Sequence, residues 1–387
     1  MTQPRLLYVV TEDWYFWSHR LDLARAARDA GFAVTIATRV GEYGERIRRE
    51  GFRLVPISLL RRSRNPFREL GAIAELVRLY RDERPDLVHH VAMKPILYGS
   101  MAAWLSRVPV VLNAFAGLGY AFTDLRQGRI LRTALGAALK LGIRLSSSTA
   151  LFQHEMDRDQ LVQMGVVAPS RTRIIAGSGV NTAEFSVRPP AEGVPIVMLP
   201  ARMLWDKGVG EFIQAARVLR AKGIAARFVL VGRVDEDNPA AITREQLDQW
   251  AGEGVVEWWG YREDMAGVYE SATLVVLPTS YGEGLPKVLL EAAACGKALI
   301  ATDIPGCRNV VRPGVNGLLV AVKNPKALAA AIEQLLSDHA LREAMGVRSR
   351  ELAVAEWSSA RIVGQMLNLY QELLKNSSAQ DRLPGYA

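Results

Sequence analysis

Two cysteines, Cys295 and Cys307, are all that 387 residues contain. That is too few for a disulfide framework, and their spacing is not that of a metal site, so a reducing compartment and structural thiols are expected. Long apolar runs are missing as well. None reaches the roughly 18 uninterrupted residues that argue for a membrane-spanning helix, so any membrane role is expected to be peripheral. The opening stretch from Met1 to Val10 breaks at Thr11-Glu12-Asp13, is too short for a signal sequence, and reads as a first strand. Only one acidic cluster stands out, Asp235-Glu236-Asp237, with no His or Cys beside it, so no required metal is expected. With 49% hydrophobic and 23% charged residues, the composition is that of a folded globular protein.

The length fits two domains of roughly 150 to 200 residues each. A Pro-rich stretch, Val187 to Pro195, divides a basic part from a nearly neutral one. Residues 1–188 carry 27 Lys and Arg against 17 Asp and Glu, and residues 189–387 carry 21 against 23, so the whole excess of the net +8 charge is N-terminal. Such a half suits phospholipid headgroups, a diphosphate-bearing ligand or nucleic acid; it also suits arginines that merely solvate helix faces. No helix-turn-helix, aromatic-and-Gly RNA motif or Lys-rich tail is present, so nucleic acid is not an expected partner.

Short apolar runs alternate with helical patterns: Leu6 to Val10, Val34 to Ala37, Leu54 to Ile57, Leu87 to His89, Val108 to Leu112, Ala150 to Phe152 and Arg173 to Ala176. Ser18 is positioned to cap a helix carrying Leu21, Ala24, Ala27 and Ala30, which Gly31 ends. The pattern restarts with Ile196 to Leu199, Phe228 to Val231, Val255 to Trp258, Leu274 to Leu277, Leu299 to Ala301 and Leu318 to Val320. Apolar strands joined by helices form parallel sheets covered on both faces. The expected fold class is α/β: two Rossmann-like, doubly wound domains, 1–188 and 189–357, facing across a cleft. A helix over 358–375 is expected to pack back on the first domain, followed by a flexible tail over 376–387. Ligands of such folds bind at the carboxyl ends of the strands.

The most informative segment is Pro278-Thr279-Ser280-Tyr281-Gly282-Glu283-Gly284-Leu285-Pro286-Lys287-Val288-Leu289-Leu290-Glu291. A strand ends at Leu277, a Gly-bearing loop follows, and Pro286 suits the first turn of a helix whose free N–H groups can hold an oxygen-rich ligand. Glu291 falls among apolar residues, where a carboxylate needs a partner. A ribose diol is one; an Arg or a neighbouring loop is another. In Pro200-Ala201-Arg202-Met203-Leu204-Trp205-Asp206-Lys207-Gly208, two cations share one strand-to-helix turn. They can stabilise charge growing on a departing diphosphate, or simply be solvated, which fits Lys207 better than Arg202.

Arg202 and Lys207, together with Glu283 and Glu291 separated by seven residues, resemble the signature of the family 4 retaining glycosyltransferases of the B-type fold. Gly232, Gly260-Tyr261-Arg262, Thr302-Asp303-Ile304-Pro305-Gly306 and Asn316-Gly317-Leu318-Leu319-Val320 extend the resemblance over nearly the whole chain. Trp14-Tyr15-Phe16, Ser18-His19-Arg20, Gly117-Leu118-Gly119-Tyr120 and Asp237-Asn238-Pro239 resemble a subgroup that builds surface polysaccharides and lipid-linked oligosaccharides. The resemblance implies an acceptor-binding first domain and a nucleotide-sugar-binding second one. It implies that Arg202 and Lys207 bind the donor diphosphate, that Glu283 with the backbone of Gly284, Leu285 and Pro286 holds the transferred sugar, that Glu291 binds the ribose, and that backbone near Arg262 meets the base. The implied reaction retains anomeric configuration, the leaving phosphate taking the acceptor's proton, without a protein nucleophile, cofactor or metal. The implied donor is a UDP-linked hexose or N-acetylhexosamine, with GDP left open; the acceptor is a glycan or polyprenyl-diphosphate-linked sugar. The enzyme is then expected in the cytoplasm, peripheral on the inner face of an anionic membrane.

Departures from the family pattern matter as well. Ala116 stands where many members carry a His, so no histidine is assigned a catalytic role, and Asn309 stands where a Glu is usual. His19, His89 and His90 fall near the carboxyl ends of first-domain strands, where an acceptor can bind and where a structural His is equally at home. His19, Gly117 and Gly119 are the acceptor candidates. Asp235-Glu236-Asp237 resembles the metal-binding motif of the other glycosyltransferase fold, a coincidence in a B-type chain. The segment Leu59-Leu60-Arg61-Arg62-Ser63-Arg64-Asn65-Pro66-Phe67-Arg68 suits contact with anionic lipid, or an ordinary basic connection whose Leu pair packs inward. Two other functions stay open: a nucleotide-sugar-modifying enzyme of the same fold, such as an epimerase, and a non-enzymatic basic binding protein.

Overall fold

In a computed structural model, residues 3–60, 66–118, 129–188, 193–236, 238–280 and 282–380 are described. Thirteen of the apolar runs become strands. The first sheet comprises β1 (Arg5–Glu12), β2 (Ala33–Arg39), β3 (Arg53–Pro56), β4 (Leu87–Val91), β5 (Val110–Ala114), β6 (Thr149–Phe152) and β7 (Thr172–Ile174). Its order is β3-β2-β1-β4-β5-β6-β7, parallel throughout. The second comprises β8 (Ile196–Pro200), β9 (Arg227–Val231), β10 (Glu257–Trp258), β11 (Leu274–Leu277), β12 (Ala298–Thr302) and β13 (Gly317–Val320), in the order β10-β9-β8-β11-β12-β13, again parallel. Both are doubly wound. In each, strand order reverses once, between β1 and β4 and between β8 and β11, and the carboxyl ends flanking such a reversal are where ligands of open α/β sheets bind.

Alternation along β1 shows why its residues are apolar throughout. Leu6, Tyr8 and Val10 face one core, with Phe16, Leu21, Leu23 and Ala24, while Leu7 and Val9 face another, with Leu76, Leu79 and Tyr80. The helix Ser359–Gln380 completes the first of these cores with Ile362, Met366, Leu369 and Tyr370. Accordingly, one compact unit runs to Ser178 and resumes at Arg361, and the other is Gly179–Ala360.

The division falls earlier than the expected 188. Residues 179–188 are held to the second unit: Arg350 donates to the carbonyls of Thr182 (3.0 Å) and Phe185 (2.7 Å), Phe185 meets the Tyr269 ring edge-on, and Arg188 pairs with Glu270 at 2.8 Å. The last helix continues past Lys375 to Gln380, with the Ser378 hydroxyl donating to Leu374 O; polar residues solvate that turn without breaking it.

Ser18 is not the expected cap. The aromatic segment forms its own helix, Asp13–His19, so Ser18 lies inside it and its hydroxyl bonds back to Trp14 O at 2.9 Å. Arg20 takes the cap position of the following helix, Leu21–Asp29, where Leu21, Ala24 and Ala27 are buried, Ala30 is exposed and Gly31 adopts φ 93°.

Candidate active site

Arg202, Lys207 and Glu283 come together at the β8/β11 reversal of the second unit. The turn after β8 is held by Met203 N–H donating to Arg233 O (3.0 Å) and Ile242 N–H donating to Met203 O (2.9 Å). Trp205–Lys207 then makes one 3-10 turn before the helix Val209–Ala221, so Lys207 stands just ahead of that helix. Its ammonium pairs with Glu283 Oε1, and both side chains are largely buried. Arg202 Nη1 donates to Asp235 Oδ2 at 2.5 Å. Asp235, noted in the sequence only as part of a coincidental acidic motif, is therefore the partner of a candidate catalytic cation; Asp237 lies outside the described residues.

Glycines allow these loops to touch backbone to backbone. A Cβ on Gly208, where φ is 76°, would stand 2.1 Å from Pro278 O, and one on Gly232, where φ is 147°, would stand 1.8 Å from Ala201 O. On the helix Pro305–Arg308, a Cβ on Gly306 would meet Gly284 O at 1.9 Å and Glu283 O at 2.5 Å. Ser280 N–H donates to Asp206 O at 2.9 Å, and the Thr279 hydroxyl lies 3.0 Å from Asp206 O and 3.2 Å from Glu283 Oε1. The loop after β11 is thus supported from both sides.

Pro286 stands at the cap of the helix Lys287–Ala294, one residue before the expected first turn. It has no N–H to offer, so its contribution is the fixed φ of −65° that leads into the helix. Gly284 is buried and Leu285 half-buried ahead of it. Glu291, 6% exposed, is partnered: the Tyr269 hydroxyl lies 3.1 Å from Oε2 and Lys287 Nζ 3.3 Å from Oε1. Burial, then the Glu291 charge, pushes the Tyr269 hydroxyl well above its ordinary pKa, so it stays a donor. The partner is thus neither an Arg nor a loop backbone. Tyr269 gave no signal in the sequence, being twenty-two positions from Glu291 on another helix, Met265–Ser271. Arg262 is exposed in the loop after β10, which Gly232 N–H ties to Gly260 O at 2.8 Å.

In the first unit the histidines separate. His19 is half-buried, stacked on Tyr15 with ring centres 4.1 Å apart, and its Nδ1 lies 2.6 Å from the Ser18 hydroxyl. His90 is fully buried between Tyr80 OH (2.8 Å) and Asn113 Oδ1 (2.7 Å), a satisfied structural histidine whose burial pushes its pKa down to about 4. His89 is fully buried as well, its Nδ1 2.7 Å from Tyr370 OH. Gly117 has φ 88° just past β5, and the neighbouring Leu118 N–H donates to the buried Asp157. Gly119 lies outside the described residues, as do 61–65 of the basic connection. Of that connection's apolar residues, Leu59 is buried, whereas Phe67 is 83% exposed, and Leu70 just beyond it is 65% exposed. Among the described residues no cluster of three or more His, Cys, Asp or Glu suits a metal ion, and no helix is long and apolar enough to cross a membrane.

Comparison with known proteins gives two family matches. Residues 194–338 match the model of glycosyl transferases group 1, and residues 5–150 match that of glycosyl transferase 4-like proteins. The chain is 29% identical, over 92% of its length and 96% of the other's, to the N,N'-diacetylbacillosaminyl-diphospho-undecaprenol alpha-1,3-N-acetylgalactosaminyltransferase of Campylobacter jejuni. It is 22% identical to a capsular polysaccharide biosynthesis glycosyltransferase of Staphylococcus aureus, over 81% of this chain and 84% of that one. Among solved structures, a glycosyltransferase from Rickettsia africae superposes with a TM-score of 0.79 at 18% identity, covering 97% of this chain and 100% of that one. An Anabaena protein solved in complex with UDP superposes with a TM-score of 0.75 at 17% identity, covering 95% and 100%.

Proposed function

The chain belongs to the group 1, 4-like glycosyltransferases and has their B-type fold, and from that premise we propose that it transfers a hexose or N-acetylhexosamine from a UDP-sugar to a glycan acceptor carried on a polyprenyl diphosphate. The observation that carries the reading is the convergence of Arg202, Lys207 and Glu283 at the β8/β11 reversal, where a nucleotide diphosphate would meet two cations. In this reading the bond between the anomeric carbon and the diphosphate oxygen breaks while Arg202 and Lys207 stabilise the charge left on the phosphate. The acceptor hydroxyl adds on the same face. Its proton passes to the departing phosphate, giving the glycoside with retained configuration and free UDP. No metal or cofactor takes part.

Glu283 exchanges Lys207 for hydroxyls of the transferred sugar, with the backbone at Gly284 and Leu285 lining the same place; Glu291 receives the ribose, and the segment at Arg262 the base. The acceptor is read from the Campylobacter relative, whose name specifies a diphospho-undecaprenol substrate, and UDP from the Anabaena neighbour. His19 and Gly117 face the acceptor, and Gly119 is assigned to it by the sequence resemblance alone. The enzyme works in the cytoplasm at the inner face of the membrane, held by its basic first half and by exposed Phe67 and Leu70.

The test is a transfer assay with UDP-N-acetylgalactosamine, UDP-N-acetylglucosamine, UDP-glucose and UDP-galactose against an undecaprenyl-diphosphate-linked monosaccharide, with the product anomer read by NMR. Transfer with retention from at least one donor is expected. Inversion, or the absence of UDP binding in a thermal-shift titration, would overturn the reading.

A further inference from the structure

Arg20 is a buried charge that the chemistry above leaves unused. It is 6% exposed at the start of the helix Leu21–Asp29, one short helix after β1, and near enough to Tyr8, His89 and Tyr370 for its charge to act on all three. One guanidinium nitrogen, Nη1, donates to His19 O at 3.0 Å; among the described residues Nε is sealed from solvent without a partner, and Nη2, which is not sealed, makes no hydrogen bond to protein. Among the described residues no carboxylate lies within 4 Å of it. The acids close in sequence are engaged elsewhere. Asp13 accepts from the amides of Gly41 (2.6 Å) and Tyr43 (3.0 Å), Asp22 pairs with Arg25, and Glu12 with Arg39. A buried guanidinium with neither anion nor full hydrogen bonding is costly, and chains keep such groups where a ligand supplies what is missing.

The location adds a second observation. Arg20 follows β1, and His89 lies on β4 in register with Tyr8, so the two flank the one reversal of strand order in the first sheet. His89 Nε2 is also buried without a partner. Burial, and after it the nearby Arg20 charge, keeps this imidazole neutral. Tyr8 OH lies 3.0 Å from Tyr370 OH, which lies 2.7 Å from His89 Nδ1. Either hydroxyl of the Tyr8–Tyr370 pair can donate; when Tyr370 donates to His89 Nδ1, the ring proton sits on Nε2, the tautomer that an anion there selects. Arg20 Nε–H, the N–H groups of Arg20 Nη2 and His89 Nε2 are left without protein partners, and the oxygens of a phosphate are the acceptors that such donors lack.

We propose that Arg20 and His89 form an anion receptor at the β1/β4 reversal that takes a phosphate of the acceptor's diphosphate. This rests on the acceptor reading above and adds Arg20 and His89 to the acceptor candidates His19 and Gly117. Arg20 supplies charge and a fork of donors; His89, held by Tyr370 of the last helix, supplies a neutral donor.

The experiment uses the full chain saturated with UDP, so that the donor site is occupied, and titrates inorganic pyrophosphate by calorimetry. Wild type is expected to bind it, Arg20→Gln to bind at least tenfold more weakly, and Arg20→Lys to fall between, because lysine keeps the charge and loses the fork. UDP affinity should stay within twofold. The KM for an undecaprenyl-diphosphate-linked acceptor should rise at least tenfold in Arg20→Gln. Pyrophosphate binding that is absent in wild type, or equal in all variants, overturns the receptor; weaker pyrophosphate binding with an unchanged acceptor KM overturns its assignment to the acceptor. Should wild type fail to bind UDP, the donor reading falls instead, and the titration without UDP still decides the Arg20 question. If Arg20→Gln does not fold, Arg20→Lys and His89→Gln carry the comparison.

Discussion

Replacing Gly306 by Ala tests whether the geometry behind Glu283 governs catalysis. The added methyl would lie 1.9 Å from Gly284 O and 2.5 Å from Glu283 O. Carbon and carbonyl oxygen without a covalent bond approach to roughly 3.3 Å, so one backbone must retreat by about 1.4 Å. The Pro305–Arg308 turn is anchored behind: Cys307 is fully buried, and Thr302 hydrogen-bonds the carbonyl of Thr279. Whichever side yields, the spacing between the turn and the loop carrying Glu283 and Gly284 changes, and with it the position of that loop's carbonyls. A displacement near 1 Å costs on the order of 100-fold in rate when it shifts a group that positions substrate, and overpacking costs about 1–3 kcal/mol of stability. Steady-state transfer with a UDP-sugar should show kcat down about 100-fold, with UDP affinity, which depends on Glu291, changed much less. Gly364→Ala is the control: apart from its chain neighbours and its own helix backbone no atom lies within 4 Å of that methyl, and in the interior of the last helix it should stabilise by about 1 kcal/mol without touching activity. A Gly306→Ala enzyme with an intact fold and kcat within threefold of wild type would refute the placement of the sugar at Glu283 and Gly284.

Arg202→Ala should slow the chemical step by about 2–4 kcal/mol with little change in UDP affinity, while Glu291→Ala should weaken UDP binding; unchanged kinetics in both, with the fold intact, would remove the site assignment. Tyr269→Phe deletes one hydrogen bond to Glu291 Oε2 and should cost about 1 kcal/mol of UDP affinity, read by calorimetry, with kcat at saturation nearly preserved. If affinity does not change, Tyr269 does not orient that carboxylate. Stability should also depend on pH through His90, whose folded pKa of about 4 lies below its ordinary 6.5. Between those values the unfolded chain binds the extra proton, so the contribution is whole above about pH 6.5 and is lost as pH falls toward 4, by about 3 kcal/mol. Urea denaturation across that range would show it, and a flat profile would mean that His90 is not held neutral by the fold.

What could be read in the sequence followed locality. Strand positions and the helix ended by Gly31 follow from apolar spacing and turn chemistry within a few residues, and the structure keeps them. The donor motifs lie on two loops, each legible alone, and the β8/β11 reversal brings them together. Ser18 is not a cap because the aromatic residues before it make a helix of their own, which periodicity over one turn does not reveal. Pairs that depend on folding left no signal: Arg202 with Asp235, Tyr269 with Glu291, and His89 with Tyr370, the last separated by 281 positions. Each joins different elements, and nothing in the spacing of either partner specifies the other.

The return of the last helix to the first unit sets a schedule for biosynthesis. Tyr370, Met366 and Leu369 close the core that Tyr8 and Phe16 begin, yet the ribosome must first translate everything from Gly179 to Ala360. At roughly 5–20 residues per second this interval lasts about 10–40 s, during which one side of the nascent first sheet is covered only by the first helices and lacks the last one. Nascent chains arrested before Ser359 should accordingly expose Tyr8 and His89 to proteases and chaperones, while the second unit can already be complete.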